Sequence, residues 1–157
     1  MRYFPIAINL KDRFVVVVGA GKVAERKVKS LLCAGARVYV ISPRANTYIK
    51  GLAKKNKIKW VPRVVQRSDL VNARLIIAAT NKKTVNEYVS KWAQQFNVPV
   101  NVVDESNLSD FISPAIVRFK KALVTIYTDG KDPVFSRDLK NYLGEKEHDF
   151  VSYRNRL

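Results

Sequence analysis

An α/β fold, built on an open parallel sheet with a small α+β segment after it, is what this sequence predicts. Two observations carry the prediction. From residue 13 to residue 104, apolar β-branched runs alternate with segments of helical spacing. The runs are continuous in apolar character rather than alternating, as in strands covered on both faces. After Asp104 the alternation stops, and two short strand-like runs precede a single helix. The expected division is therefore 1–112 for the sheet domain and 113–157 for a two-stranded segment with its helix and tail.

Residues 14–18 (FVVVV) are the first buried strand. In 23–34, Val23, Ala24, Val28, Leu31 and Leu32 recur at helical spacing, and Gly35 is a natural helix end. Residues 36–42 (ARVYVIS) form the second strand, stopped by Pro43, and 45–56 form a basic helix. Pro62 interrupts the short run 58–65, which belongs at a sheet edge or in a loop. Residues 73–80 (ARLIIAAT) are a further buried strand, and 84–96 a helix with Val85, Val89, Trp92 and Phe96 on one stripe. The last strand of the set is 98–104 (VPVNVVD). Strand and helix in alternation imply right-handed crossovers. Residues 115–128 read as two antiparallel strands turning near Lys120-Lys121, and 133–143 as a helix. That segment is too small to bury its own apolar face and needs a parent domain or a second subunit.

Charge narrows the function classes. Lys and Arg number 29 against 13 Asp and Glu, a net charge of +16. Between Glu25 and Asp69 there is no acidic residue, whereas Lys and Arg recur throughout. Such a surface is either a solvated face or a field that attracts polyanions: nucleic acid, anionic lipid or a polycarboxylate small molecule. A nucleic-acid interface needs stacking aromatics on a basic face. Trp60 lies among lysines, but most other aromatics follow core spacing, so nucleic acid is not the expected partner. No apolar run reaches the 18 or so residues of a membrane span, and the opening MRYFPIAINLKDR lacks a signal-peptide core; a cytoplasmic protein is expected. The lone Cys33 permits no internal disulfide, in keeping with a reducing compartment. Cys33, on the apolar face of the first helix, and His148, near the C-terminus, make a poor metal site, so no metal ligand is expected.

The chemistry concentrates where the first strand ends. Gly19-Ala20-Gly21-Lys22-Val23-Ala24 has the form G-x-G-x-x-A. The first glycine permits the tight turn, the second lets backbone approach a pyrophosphate, and the small third residue lets helix and strand pack closely. The following helix aims free N–H groups and its positive dipole end at the phosphates. A strand before, a helix after and a second strand about 20 residues on are the context such a Rossmann-like, dinucleotide-binding turn requires. The acid that usually binds the ribose 2′-hydroxyl is absent. Ser42, Pro43 and Arg44 stand there instead. Ser42 can bond a ribose hydroxyl, and Arg44 can pair with a 2′-phosphate, so the residues alone leave NAD and NADP open.

Several blocks resemble one known family, the dehydrogenase domain of siroheme synthases, that is, precorrin-2 dehydrogenase. YFPIAINLKDRFVVVVGAGKVAERK is similar to its N-terminal block, IIAATNKKTVN to its AAT-(N/D)-x-x-x-VN segment, and NVVDESNLSDFISPA to its NVVD stretch followed by F-x-x-P-(A/S). Together they run in order over most of the chain. The resemblance implies oxidation of precorrin-2 to sirohydrochlorin with NAD as cofactor. It implies a polycarboxylate tetrapyrrole substrate, which would account for the basic surface, and a homodimer formed through the C-terminal segment. Some members also insert Fe²⁺. No fused methyltransferase is expected here.

Residue by residue, Gly19, Gly21, Lys22 and Val23 fall on the family's pyrophosphate turn, and Ser42, Pro43 and Arg44 on its ribose-binding strand end. Thr80 and Asn81 fall beside the nicotinamide, and Asp104 on the acid/base of NVVD. Hydride loss from the macrocycle requires removal of a proton, which suits a partly desolvated carboxylate with a raised pKa. The competing role for Asp104 is a helix cap or turn former before Ser106-Asn107. Thr128 falls where some members carry a serine lining the substrate cleft. The sequence departs from the family at TDGKDPVFSR, where Asp129 and Asp132 add negative charge near a polycarboxylate. A non-catalytic NAD(H)-sensing module is the remaining reading of the same turn.

Overall fold

The computed structural model describes residues 3–103, 105–129, 131–146 and 149. A five-stranded, wholly parallel sheet is its centre. In chain order the elements are β1 (Phe14–Val18), α1 (Lys22–Cys33), β2 (Arg37–Ile41), α2 (Thr47–Lys54), β3 (Lys59–Val61), β4 (Leu75–Ala78), α3 (Lys83–Gln95) and β5 (Val100–Val102). The sheet order is β3-β2-β1-β4-β5. The chain runs outward from β1 to one edge, then returns to β4 on β1's other side. The sheet's switch point therefore lies between β1 and β4, the place where open α/β folds bind ligands.

β1 sits between β2 and β4, with Val16 opposite Tyr39 on one side and Ile76 on the other. Val15–Val18 are at most 2 % exposed. Their alternation divides the core. Val15 and Val17, with Val38, Val40, Leu75 and Ile77, pack beneath Ala24, Val28 and Leu31 of α1 and Ile49 of α2. Val16 and Val18, with Ile76, Ala78, Val100 and Val102, pack against Val89 and Ala93 of α3. Each fully buried valine contributes roughly 1.5 kcal/mol or more.

The two edges of the sheet end differently. β3 is an edge strand and ends at Val61, immediately before Pro62, as a residue lacking an N–H donor requires. At the other edge, side chains replace a sixth strand. The Val100 N–H donates to Asp110 Oδ2 at 3.0 Å, and the Val102 N–H to Ser109 Oγ at 2.9 Å. Short 3-10 turns at Arg67–Leu70 and Ser106–Leu108 are not visible in the sequence periodicity.

Ile6–Phe111 forms one compact unit, and the residues on either side of it form a second. In the second unit β6 (Ala115–Arg118) pairs antiparallel with β7 (Leu123–Ile126), and α4 (Pro133–Glu145) follows. The Phe119 N–H donates to the Ala122 carbonyl at 2.9 Å, closing the hairpin where Lys120-Lys121 predicts it. Pro133 opens α4, and Asp132 caps it by accepting the Phe135 N–H at 2.7 Å. No helix among the described residues is long and apolar enough to cross a membrane.

The crossover between β3 and β4 is held by an ion pair. Arg63 reaches Asp69 with both guanidinium nitrogens, at 2.7 and 2.6 Å, and Asp69 also accepts the Gln66 N–H at 2.7 Å. The hydrogen bonds from Arg63 hold the Asp69 carboxyl below its ordinary value of 3.8. A lowered pKa means stability that is complete above 3.8 and is lost as pH falls through the folded-state value. Replacement of Asp69 by Asn is expected to lower the urea midpoint at pH 7. In denaturation series from pH 7 to pH 2, the gap between the two proteins narrows only below about pH 3.8.

Candidate functional site

The carboxyl ends of β1, β2 and β4 converge on the glycine turn. The Gly19 N–H donates to the Ile41 carbonyl at 2.9 Å, and the Ala79 N–H to the Val18 carbonyl at 2.8 Å. Gly19 has φ +105°, and a Cβ there would drive into the Ala79 carbonyl. This glycine is therefore demanded by the fold. Gly21 is different. Its φ of −86° suits any residue, and a Cβ would have no atom within 4 Å. The fold leaves open the space that a side chain would fill, as a backbone approached by a bulky anion requires.

Gly21 is also the N-cap of α1, with no side chain capping it. The first intrahelical bond runs from the Glu25 N–H to the Gly21 carbonyl at 2.9 Å. The amides of Lys22, Val23 and Ala24 have no intrahelical acceptor. They line the open space with the positive end of the helix dipole, and Lys22 is exposed beside them. These features fit a dinucleotide pyrophosphate.

The residues expected at the ribose lie in the loop after β2. Ser42 continues the sheet: its N–H donates to the Val61 carbonyl at 3.2 Å, and its carbonyl accepts Trp60 Nε1 at 3.0 Å. Pro43 and Arg44 are exposed. Asn46 was not singled out by the sequence, although Asn before a helix is a capping signal. It caps α2 through the Ile49 N–H at 2.9 Å, and its own N–H donates to the Ala20 carbonyl at 3.1 Å. Its Nδ2 donates to Glu25 at 2.9 Å. Glu25 also accepts Lys29 Nζ at 2.6 Å, and that hydrogen bond lowers its pKa. Asn46 thus ties the loop after β2 to the glycine turn.

On the far side of β1, Thr80 follows β4 and Asn81 is exposed. Thr80 Oγ1 donates to Asn86 Oδ1 at 2.7 Å, and Asn86 Nδ2 donates to the Thr80 carbonyl at 3.1 Å. Asn86 is 4 % exposed. The sequence places Val85, Val89, Trp92 and Phe96 on the inner stripe of α3, but the buried set is Asn86, Val89, Ser90 and Ala93. The small and polar residues lie closest to the sheet, and the larger ones flank them.

Asp104 lies outside the described residues, as does His148. On either side of it, the Val103 N–H donates to the Ala78 carbonyl at 2.9 Å, and Glu105 pairs with Lys83 at 3.1 Å. Thr128 belongs to the second unit, where its hydroxyl donates to the Asp132 carbonyl at 3.0 Å and meets Ser136 Oγ at 3.0 Å. Asp129 accepts the Tyr127 hydroxyl at 2.8 Å, so the acids that depart from the family pattern are used in local structure. Cys33 corrects an expectation. It ends α1 and is exposed rather than on the apolar face, because the buried stripe passes through Ala24, Val28 and Leu31. No group of three metal-ligating side chains occurs among the described residues.

An open groove of about 680 Å³ lies elsewhere, at the amino end of the sheet beside Arg37, Tyr39, Lys57 and Lys59. It lies at the opposite end of the sheet from the glycine turn.

The two glycines give separable expectations. Gly19→Ala is expected to cost about 2 kcal/mol or more in urea denaturation, through clash and strain at positive φ. Gly21→Ala is expected to stay within about 1 kcal/mol of the parent, yet to weaken NAD⁺ binding at least tenfold by calorimetry. Equal binding by Gly21→Ala and the parent would contradict the role of the open space.

Comparison with known proteins agrees with this geometry. A family model described as "Putative NAD(P)-binding" matches residues 6–115. The siroheme synthase of Methylococcus capsulatus (strain Bath) is 43% identical over 140 residues, which is 89% of this chain and 30% of that protein. The siroheme synthase of Neisseria meningitidis serogroup C is 38% identical over 143 residues, 91% of this chain and 30% of that protein. The chain therefore spans about 30% of the length of these curated relatives. Among solved structures, that of SirC, precorrin-2 dehydrogenase, matches with a TM-score of 0.81 at 26% identity, covering 98% of this chain and 76% of that one. The expected nicotinamide dinucleotide cofactor and Rossmann-like fold are borne out. With a family match over residues 6–115 and siroheme synthases as homologues over about nine-tenths of its length, the chain belongs to this NAD(P)-binding family.

Proposed function

We propose that this chain is an NAD-dependent precorrin-2 dehydrogenase, acting on a polycarboxylate tetrapyrrole in siroheme biosynthesis in the cytoplasm. The observation that carries the reading is the open, amide-lined space at Gly21, set at the switch point between β1 and β4. The names of its relatives and of the SirC structure support the substrate class.

When bound, the nicotinamide ring accepts a hydride. The chain's own residues supply the rest. Gly19, Gly21 and the amides of Lys22 and Val23 hold the pyrophosphate. Ser42, Pro43 and Arg44 border the adenosine ribose. Thr80 and Asn81 border the nicotinamide, with Asn86 fixing the loop that carries them. Asp104 is the proton acceptor in this reading: the substrate loses a hydride and a proton together, and a carboxylate near the carboxyl edge of β5 takes the proton. Thr128 lines the substrate side in the same reading. The surplus of cationic side chains attracts the carboxylates of the substrate over distance.

A homodimer completes the proposal. The second unit leaves Leu123, Val134, Phe135 and Tyr142 exposed, and α4 buries no residue of its own. A hairpin with one helix does not hold such a face alone. Sedimentation equilibrium is expected to give twice the 17.9 kDa of the chain; a monomer across micromolar concentrations would contradict this.

The activity test is NADH formation from precorrin-2 and NAD⁺, read with the sirohydrochlorin spectrum. Asp104→Asn is expected to reduce turnover at least tenfold while NAD⁺ binding persists. Unchanged turnover would remove Asp104 from the chemistry. Binding of NAD⁺ without any turnover by the parent would favour the sensing module, and a further arm with Fe²⁺ tests chelation.

A further inference from the structure

We propose that the free edge of β3 docks an extended, acidic segment of a partner polypeptide. The segment adds to the sheet as a sixth strand and lays its carboxylates on Arg37, Lys57 and Lys59. This surface lies at the amino end of the sheet, away from the glycine turn, and does not depend on the reading of that turn.

Two observations carry it. The first is the unpaired backbone of β3, which pairs with β2 alone. The Ser42 N–H donates to the Val61 carbonyl at 3.2 Å, so the peptide groups of Val61 turn toward β2. In a parallel ladder successive residues bond to opposite sides, and those of Trp60 therefore turn outward. At the far edge of the sheet, Asp110 and Ser109 occupy the Val100 and Val102 amides. Among the described residues no side chain does this for β3. An open edge of this kind is the template that strand addition uses.

The second observation is the charge beside that edge. The groove of about 680 Å³ is lined by Arg37, Lys57 and Lys59, all exposed, against the single carboxylate of Asp12. Arg37 is oriented by its Nε, which donates to the Asp12 carbonyl at 3.0 Å, and Lys59 Nζ lies 5.1 Å from the centre of the Tyr39 ring. None of the three cations makes an ion pair among the described residues, unlike Arg63, which is committed to Asp69. Lys50, Lys54 and Lys55 continue the exposed positive charge along α2 and past its end.

Charge complementarity selects the occupant. A lysine on an edge strand discourages pairing with another copy of the same chain, and here each copy carries a net charge of +16. The same charge favours an acidic strand and speeds its encounter. Nucleic acid fits this face less well, because the rings that line it are already committed. Trp60 donates its Nε1 to the Ser42 carbonyl at 3.0 Å and packs against the core. Tyr39 meets Phe14 edge-on at 4.8 Å and carries Lys59. Neither ring is free to stack on a base.

The test is fluorescence anisotropy of a labelled eight-residue peptide of alternating Glu and Thr, titrated with the full chain at fixed ionic strength. Two further peptides separate charge from strand pairing: one with Gln for Glu, and one N-methylated at alternate residues. The Gln peptide is expected to bind at least tenfold more weakly, and the N-methylated peptide at least fivefold more weakly. The pair Lys57→Glu and Lys59→Glu is expected to weaken binding of the acidic peptide at least tenfold. The pair Lys91→Glu and Lys140→Glu, of the same net charge, is expected to change it less than threefold. Equal binding of the three peptides, no binding at millimolar peptide, or equal losses in the two charge reversals overturns the proposal. Tighter binding of a single-stranded DNA oligonucleotide or of phosphatidylserine vesicles through Lys57 and Lys59 also overturns it, by giving the face to nucleic acid or to a membrane.

Discussion

Behind Gly19 there is no room for a side chain, and the rest of the site follows from that contact. Backbone of the β1–α1 turn lies against the carbonyl of Ala79, at the point where β4 leaves the sheet. The close approach aims α1 away from β1 while keeping its first amides at the carboxyl edge. It is sustained by the valines of β1, whose burial on both faces fixes the strand between β2 and β4. A rigid centre and a tight turn leave one place, at Gly21, where backbone stands open. A preformed opening of this kind limits the entropy lost when a ligand binds.

Electrostatics act on two scales. The net charge of +16 sets a long-range field that favours acidic ligands and weakens with salt. Close to the turn, individual partners decide. Arg63 and Lys29 are committed to Asp69 and Glu25 and serve the fold. Lys22 and Arg44 remain at the carboxyl edge, exposed. The field alone does not locate a site, because the amino-end groove is also lined by Arg37, Lys57 and Lys59. The helix amides distinguish the two ends.

Most of the sheet was legible in the sequence because its strands are unambiguous. FVVVV and LIIA are continuous apolar runs too short for a helix, whereas Pro62 left 58–65 to a sheet edge or a loop, and the structure makes it an edge strand. The two glycines of the turn were legible as a motif, but their separate duties were not, since only the position of Ala79 distinguishes them. Features that depend on side chains meeting backbone from distant positions escaped altogether. Ser109 and Asp110 closing β5, Asn46 joining the loop to the turn, and Asn86 beneath Thr80 leave no periodic trace. Cys33 was misplaced because a spacing rule alone does not fix which side of the stripe the last helical residue occupies.

The central claim is that a dinucleotide is held at the carboxyl edge by the amides that open α1. The most direct measurement is amide chemical-shift change in the ¹⁵N-labelled chain titrated with NAD⁺. The largest changes are expected at Gly21, Lys22 and Val23, with smaller ones at Ser42 and Asn46. Changes confined to Arg37, Tyr39, Lys57 and Lys59 would place the ligand at the opposite end of the sheet and contradict it.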